Sequence, residues 1–395
     1  MKKLLFISES PLEKFNNYYY AKDTWIKFPL ELSKYYNLTI LTPVKSVPSK
    51  PGTIDQWQVD IGNSRIAAVK TYARFIDLLK VLFTSYFLFL RTIREEVEDA
   101  DLIAIRLPSA ISLFFLRSII ASKKPIFLFV GGNVETQVDG MVNSKGIKRY
   151  IYKILIKFIT RNELKLGANS KIIFVYSQEI FDRFKGINSN LIEMRTPVVA
   201  KKDFYYREDT CLNKEIKIIR VCWLVESKGL EFLIEGVKTL VDQGYNISLS
   251  IIGHAKKDSY KQNLVKKINE LGLSSRVKLI GWVSSSEMGQ YYIDSDIHVI
   301  SSLSEGTPRV IVEGAARGLP LVATRVGGIS KSLKDSLDAL LISSSSSQEI
   351  AEAIESIIDD EKLRKSLIKN GYEYAKKYSL DVYVPNIVND IRKFH

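Results

Sequence analysis

Short apolar runs rich in β-branched and aromatic residues alternate along this chain with longer helical patterns, and the alternation occurs twice. The first series falls at 3–7, 38–41, 102–105, 126–130 and 172–176, and the second at 216–221, 248–252, 278–280, 297–300 and 321–323. Near-continuous apolar strands are those buried on both faces, and the helices between them supply the crossovers that parallel strands need. The pattern predicts an α/β protein of two Rossmann-like, doubly wound domains facing across a cleft, with ligands bound outside the carboxyl ends of the strands. A polar, charged interval at 201–214 separates the two series and sets the domains at about 1–200 and 212–377. No fixed-period repeat is visible, and the serine run at 343–347 reads as a loop.

With 395 residues, each half is long enough to bury its own core. The longest apolar stretch, 75–90, is interrupted by Asp77 and Lys80, so no transmembrane helix is predicted. The apolar run that begins at Leu4 stops at Ser8, and it reads as the first buried strand rather than a signal peptide. Two cysteines, Cys211 and Cys222, and histidines at 254, 298 and 395 make neither a disulfide framework nor a metal-ligand cluster, which suits a reducing cytoplasm. Fifty-seven basic against 44 acidic side chains leave a net charge of +13, which favours an anionic partner: nucleic acid, an acidic lipid surface or a phosphorylated substrate. Nucleic acid is disfavoured, because no recognised module or interleaved aromatic platform is present.

The chemistry concentrates between Asp296 and Ile329. A strand and a polar loop at 301–304 lead to Glu305-Gly306-Thr307-Pro308-Arg309, with Thr307 suited to an N-cap and Pro308 to the first helical position. A glycine-bearing loop ending at a helix N-terminus offers free N–H groups and the positive end of a dipole to a phosphate. Glu313 is expected about two turns into that helix, which closes at Gly318 before Pro320, and a further strand leads to Gly327-Gly328. A nucleotide-sugar needs carboxylates to accept from its hydroxyls, and cations or amides to hold its diphosphate. Glu305 and Glu313 suit the first task; Lys228 and the helix amides suit the second. Taken singly, each of these residues also fits an ordinary solvated position.

Together they resemble the retaining GT-B glycosyltransferases of family 4, the glycosyl transferases group 1. The resemblance runs from about Ile218 to Leu380 on Ser227-Lys228-Gly229, Ile251-Ile252-Gly253, the run 276–283, Asp296, Ser304-Glu305-Gly306-Thr307-Pro308, Glu313-Gly314-Ala315, Gly318-Leu319-Pro320 and Gly327-Gly328-Ile329. It implies that Glu305 faces the donor sugar, Glu313 the ribose and Lys228 the diphosphate, with Gly306, Thr307 and Pro308 closing on it. It further implies a nucleotide-sugar donor, a UDP-sugar being the commonest in the family, transfer with retention, and neither metal nor cofactor. The acceptor, a glycan or a lipid-linked glycan, would bind the N-terminal domain, and 378–395 would form a helix packing back on that domain. Where family members carry Gly-Arg-Leu before the lysine, this chain has Cys222-Trp223-Leu224, and Arg309 is the candidate replacement cation. On the acceptor side, 9–20 replaces a glycine-rich loop, and Gly131-Gly132-Asn133 stands where a histidine is often found. A nucleotide-sugar 2-epimerase of the same fold and a non-catalytic sugar-nucleotide-binding protein are the rival readings.

Three further features have two readings each. His254, after Ile251-Ile252-Gly253, suits a donor contact or a plain loop position, whereas His298 alternates within a strand and is expected to pack against the sheet. Tyr18, Tyr19 and Tyr20 suit acceptor stacking or loop packing. Arg149, Lys153, Lys157, Arg161 and Lys165 recur every four residues, with Ile151, Ile154, Leu155 and Phe158 expected on another side of the helix. That stripe is either a solvated face or, helped by 75–90, a contact with an anionic membrane surface.

Overall fold

Every side chain of the uncharged run Ile126–Val130 is buried, as a strand covered on both faces requires. The computed structural model of the chain describes residues 1–22, 24–51, 56–70, 75–132, 147–195, 199–284 and 287–394. It consists of two compact units, Met1–Thr196 with Val384–His395, and Pro197–Tyr383. Among the described residues no helix is long and apolar enough to cross a membrane; the stretch 75–90 lies in the helix Phe75–Asp99.

The first unit holds β1 (Lys3–Ile7), β2 (Leu12–Phe15), β3 (Tyr18–Ala21), β4 (Asn37–Ser46), β5 (Trp57–Val59), β6 (Arg65–Lys70), β7 (Leu102–Leu107), β8 (Ile126–Val130), β9 (Ile172–Val175) and β10 (Leu191–Glu193). They form one sheet in the order β10-β9-β8-β7-β1-β4-β2-β3-β5, with β6 also paired to β4. The strands from β10 to β4 run parallel and reverse their order beside β1. The interval 9–20 is not simply a loop. Asn16, in the left-handed region at φ 53°, turns the chain so that β2 and β3 pair antiparallel, which makes the three tyrosines strand residues, with Tyr20 buried and Tyr18 exposed.

The helix Ile147–Ala168 also departs from expectation. Ile154 and Phe158 do not cover a side apart from the basic stripe; they are exposed, as are Lys157, Arg161 and Lys165 on the same helix. Among the described side chains of this helix the buried ones are Ile159, Asn162, Glu163 and Leu166, with Glu163 paired to Arg183 at 2.5 Å; the side chains of Arg149, Ile151, Lys153 and Leu155 lie outside the described ones.

The second unit holds β11 (Ile216–Val221), β12 (Ile247–Ile252), β13 (Val277–Gly281), β14 (Ile297–Ile300), β15 (Leu321–Thr324) and β16 (Leu340–Ile342). All pairs are parallel, in the order β13-β12-β11-β14-β15-β16, the nucleotide-binding arrangement whose order reverses between β11 and β14. Helices Leu230–Asp242, Asp258–Glu270 and Ser347–Asp359 contribute to one apolar cluster with the sheet, and Val310–Ala315 and Gly327–Ser332 to another. The serine run is the approach to Ser347–Asp359, where the Ser346 hydroxyl accepts from the Glu349 N–H at 3.1 Å.

The polar interval 201–214 is fastened into this unit rather than strung outside it. The Arg207 guanidinium donates to the carbonyls of Tyr292, Ile293 and Arg317 at 3.0 to 3.1 Å, and Asp209 receives two bonds from Arg364 at 2.6 and 3.0 Å. Arg207 thus satisfies carbonyls near helix ends, and Asp209 pairs the buried guanidinium of Arg364.

The carboxyl ends of β11 and β12 meet at Gly253, whose φ is +145° and whose added Cβ would fall 1.8 Å from the Cys222 carbonyl oxygen. Gly253→Ala is therefore expected to destabilise the unit by about 1–3 kcal/mol from backbone strain, with the clash in addition. Gly244→Ala, at φ +96° but with nothing within 4 Å of its Cβ, carries backbone strain without the clash and should lose less. Urea midpoints of the two variants test the difference, and equal losses would contradict it.

Candidate active site

At the point where the second sheet reverses, the segment after β11 and the segment after β14 are held in backbone contact. Gly229 has φ +58°, and a Cβ there would sit 2.2 Å from the Ser301 carbonyl oxygen. The Leu303 N–H donates to the Ser227 carbonyl at 2.8 Å, and the Ser301 hydroxyl to the Lys228 carbonyl at 3.0 Å. From the other side, Cβ atoms at Gly327 and Gly328 would fall 1.9 Å from the Glu305 carbonyl oxygen and 2.4 Å from that of Gly306. Glycines at these places let backbones approach where no side chain fits, and so fix Lys228 beside Glu305.

Glu305 Oε1 accepts from Lys228 Nζ at 2.6 Å and from the Ser302 hydroxyl at 2.8 Å. Arg220 Nη2 lies 3.8 Å from the same oxygen and donates to Ser302 Oγ at 2.6 Å. Glu305 Oε2 carries no hydrogen bond among the described residues. One carboxylate oxygen is thus anchored, and the other keeps its capacity to accept a hydrogen bond. Glu313 is held separately: its Oε2 accepts from the Tyr292 hydroxyl at 3.2 Å, and its Oε1 lies 3.6 Å from Arg309 Nε. Burial pushes the Tyr292 phenol well above its ordinary value, so it remains a donor.

The helix start differs from expectation. The helix is Val310–Ala315, its first flanking residue is Arg309 in helical conformation, and Thr307 and Pro308 lie before it. The Ile311 N–H donates to the Pro308 carbonyl at 3.2 Å, so the chain makes a tighter turn there before the helix sets in. Glu313 consequently stands one turn in rather than two. A Cβ on Gly306 would meet nothing within 4 Å, so the backbone beside Glu305 is open at that residue.

Three groups around the glutamates were not singled out from the sequence: Arg220, Ser302 and Tyr292. Arg220 left one visible sign, a charge inside the otherwise apolar end of β11, where it is fully buried. Arg309, the expected replacement cation, is about half exposed and faces Glu313. Trp223 is 53% exposed, its ring 6.2 Å from that of His254 and 5.8 Å from Lys256 Nζ, while the His254 carbonyl accepts from the Leu224 N–H.

Gly131 and Gly132 belong to the first unit at the carboxyl end of β8, with the Gly131 N–H donating to the Leu107 carbonyl at 3.0 Å; Asn133 lies outside the described residues. At the carboxyl ends of β1 and β7, the Glu9 carboxylate accepts from the Ser109 hydroxyl and the Ile111 N–H, and the Arg106 guanidinium lies 4.2 Å from the centre of the Trp25 ring. Among the described residues no three His, Cys, Asp or Glu side chains come together as a metal-binding group.

A Rossmann-type unit with a lysine–glutamate pair at its switch point, joined to a second doubly wound unit, defines the class: the chain has the GT-B fold of glycosyltransferases. The crystal structure of Anabaena HepE in complex with UDP shares it over 100% of both chains, with a TM-score of 0.69 and 14% identity. Residues 203–374 match the family described as Glycosyl transferases group 1. An uncharacterized glycosyltransferase of Methanocaldococcus jannaschii is 32% identical over 163 residues, 41% of this chain and 44% of that one. The lipopolysaccharide core biosynthesis glycosyltransferase LpsE of Rhizobium meliloti is 33% identical over 165 residues, 40% of this chain and 46% of that one. The matched stretch thus spans less than half the length of either relative.

His298 supports the site from within β14. It is buried, its ring meets Tyr292 edge-on at 5.6 Å, and a Cβ on Gly314 would fall 2.6 Å from its Nδ1, so the helix bearing Glu313 rests on this ring. Burial, and then the charge of Arg220, lower its pKa to about 3. The folded state therefore refuses a proton that the unfolded chain binds below about pH 6.5. Stability should fall as pH drops below that value, by about 1.4 kcal/mol per pH unit from this residue. His298→Gln is expected to flatten the loss between pH 6.5 and 5 in urea titrations; an unchanged slope would place the acid sensitivity elsewhere.

Proposed function

We propose that this protein is a retaining glycosyltransferase that moves a sugar from a UDP-sugar to a glycan or lipid-linked acceptor in polysaccharide or glycoconjugate biosynthesis. The observation that carries the reading is Glu305, anchored through one oxygen beside Lys228 at the switch point of a group 1 unit. Its unoccupied oxygen accepts from a donor-sugar hydroxyl, Lys228 and the backbone at Gly306 meet the diphosphate, and Glu313 accepts from the ribose. Thr307, Pro308 and Arg309 border the same site. In the transfer the bond between anomeric carbon and diphosphate oxygen breaks, the acceptor oxygen takes its place on the same face, and the acceptor proton leaves with the nucleoside diphosphate. HepE was solved with UDP, and LpsE is named for lipopolysaccharide core biosynthesis, which support the donor and the pathway class.

Glu305→Ala is expected to lower kcat about 100-fold, because its contact strengthens where charge develops. Glu313→Ala is expected to raise the donor KM about 10-fold with a smaller change in kcat, because a ribose contact serves ground and transition states alike. Steady-state kinetics over a panel of UDP-sugars and acceptors checks both. Equal, small effects on both constants would overturn the assignment, and an epimerised donor formed without acceptor would favour the epimerase.

The acceptor is proposed to lie at a membrane surface, reached through the helix Ile147–Ala168. Exposed Ile154 and Phe158 stand among exposed Lys157, Arg161 and Lys165, which combines an apolar wedge with cations. Each cation near an anionic surface contributes about 1 kcal/mol, screened over about 8 Å at physiological salt. Co-sedimentation with vesicles containing phosphatidylserine should be strong at low salt and weaken as salt rises. The triple change of Lys157, Arg161 and Lys165 to Gln should abolish it. Equal recovery of parent and variant in the supernatant at low salt would leave a soluble acceptor as the better reading.

A further inference from the structure

We infer that Arg220 is the positioning residue for Glu305, gripping its carboxylate through Ser302 so that Lys228 can turn to the donor diphosphate. The inference rests on the roles proposed above for Glu305 and Lys228.

The guanidinium of Arg220 is fully buried on β11, one of the two strands at the switch point. A guanidinium carries five N–H donors, yet Nε and Nη1 find no partner among the described residues, and Nη2 makes its bond to Ser302. Packing alone would be better served there by an apolar side chain, since a buried cation costs solvation that one hydrogen bond does not restore. The carboxylate within ion-pair distance is that of Glu305, 3.8 Å away.

Glu305 Oε1 therefore has two cations of different freedom. The Lys228 side chain retains 18% exposure, whereas that of Arg220 has none. An arriving diphosphate competes for the ammonium, which can swing on its long stem. The guanidinium, enclosed in the sheet, cannot follow. If Lys228 were the whole support, donor binding would strip Glu305 of its counter-charge and of the contact that sets its rotamer at the moment it must meet the sugar. Ser302 prevents this, since its hydroxyl accepts from Arg220 while donating to Glu305 Oε1. Oε2 stays directed by an anchor that the donor does not disturb.

The test compares Arg220→Lys, Arg220→Met and Ser302→Ala with the parent, each also in a Glu305→Gln background. Calorimetry with UDP should show affinity within about 3-fold of the parent for the Arg220 and Ser302 variants, but a loss of about 10-fold or more for Lys228→Met, which removes a charge-assisted contact. Under saturating donor, Arg220→Met should lower kcat about 100-fold, as a misplaced catalytic group does, with Ser302→Ala in the same direction and Arg220→Lys intermediate. In the Glu305→Gln background the same changes should lose most of their effect on kcat, because residues acting through one another are not additive. Equal kcat losses in both backgrounds, or a UDP affinity that falls as far as that of Lys228→Met, would overturn the inference. A variant that does not fold, judged by its urea transition, is replaced by Ser302→Ala, which keeps the buried charge. Absence of UDP binding by the parent would instead sink the proposed function. The coupling of Arg220 to Glu305 is then read from the same double-mutant cycle in urea stability, where zero coupling would sink the positioning role.

Discussion

Two cations and a hydroxyl converge on one oxygen of Glu305, and much of the second unit is arranged to make that possible. A carboxylate with little exposure is costly unless it is paired, and so is a fully buried guanidinium. Each offsets the other only while β11, β14 and their following segments keep their spacing. Ser302, which follows β14 and meets Arg220 of β11, is one of the points at which they are tied.

That spacing is set by backbone rather than side chains. Gly229 brings the lysine segment against Ser301, and Gly327 and Gly328 bring the chain after β15 against Glu305 and Gly306. Thr324 adds a bond from its hydroxyl to the Ser302 carbonyl at 2.6 Å. A site built this way is preorganised: its polar groups are aimed before any ligand arrives, which is the condition under which fixed charges stabilise a developing one. The second glutamate is supported by a different device, the buried Tyr292, itself packed against His298. The two carboxylates thus have separate supports.

The first unit is built on the same parallel core with a different entrance. The β2–β3 hairpin widens the sheet beyond β4, and Glu9 is spent on capping the chain after β7. Aromatic contacts among Phe6, Trp25, Phe28, Phe129 and Phe174 fill its interior, and Trp25 also lies beneath Arg106.

The doubled strand–helix alternation and the parallel cores of the two sheets were legible in the sequence. Each depends on local periodicity or on residues at loop positions with defined spacing. The short strands β2, β3, β5, β6, β10 and β16 were not, because three to six residues with mixed burial carry little periodic signal and form only against a strand already in place. The late helix start at Val310 and the exposed side of the helix Ile147–Ala168 were likewise decided by neighbours, since propensity does not say which face a core will cover. Arg220 shows the division most clearly. Its letter in an apolar run marks a charge in an unfavourable place, but only the pairing of β11 with β14 brings it to Ser302 and Glu305, more than eighty positions along the chain. The sequence by itself determined the order of strands and helices and which charged residues fall in their loops; the tertiary structure decided which of these hold one another, because the energy of a buried charge depends on its partners in space and not on its neighbours in the chain.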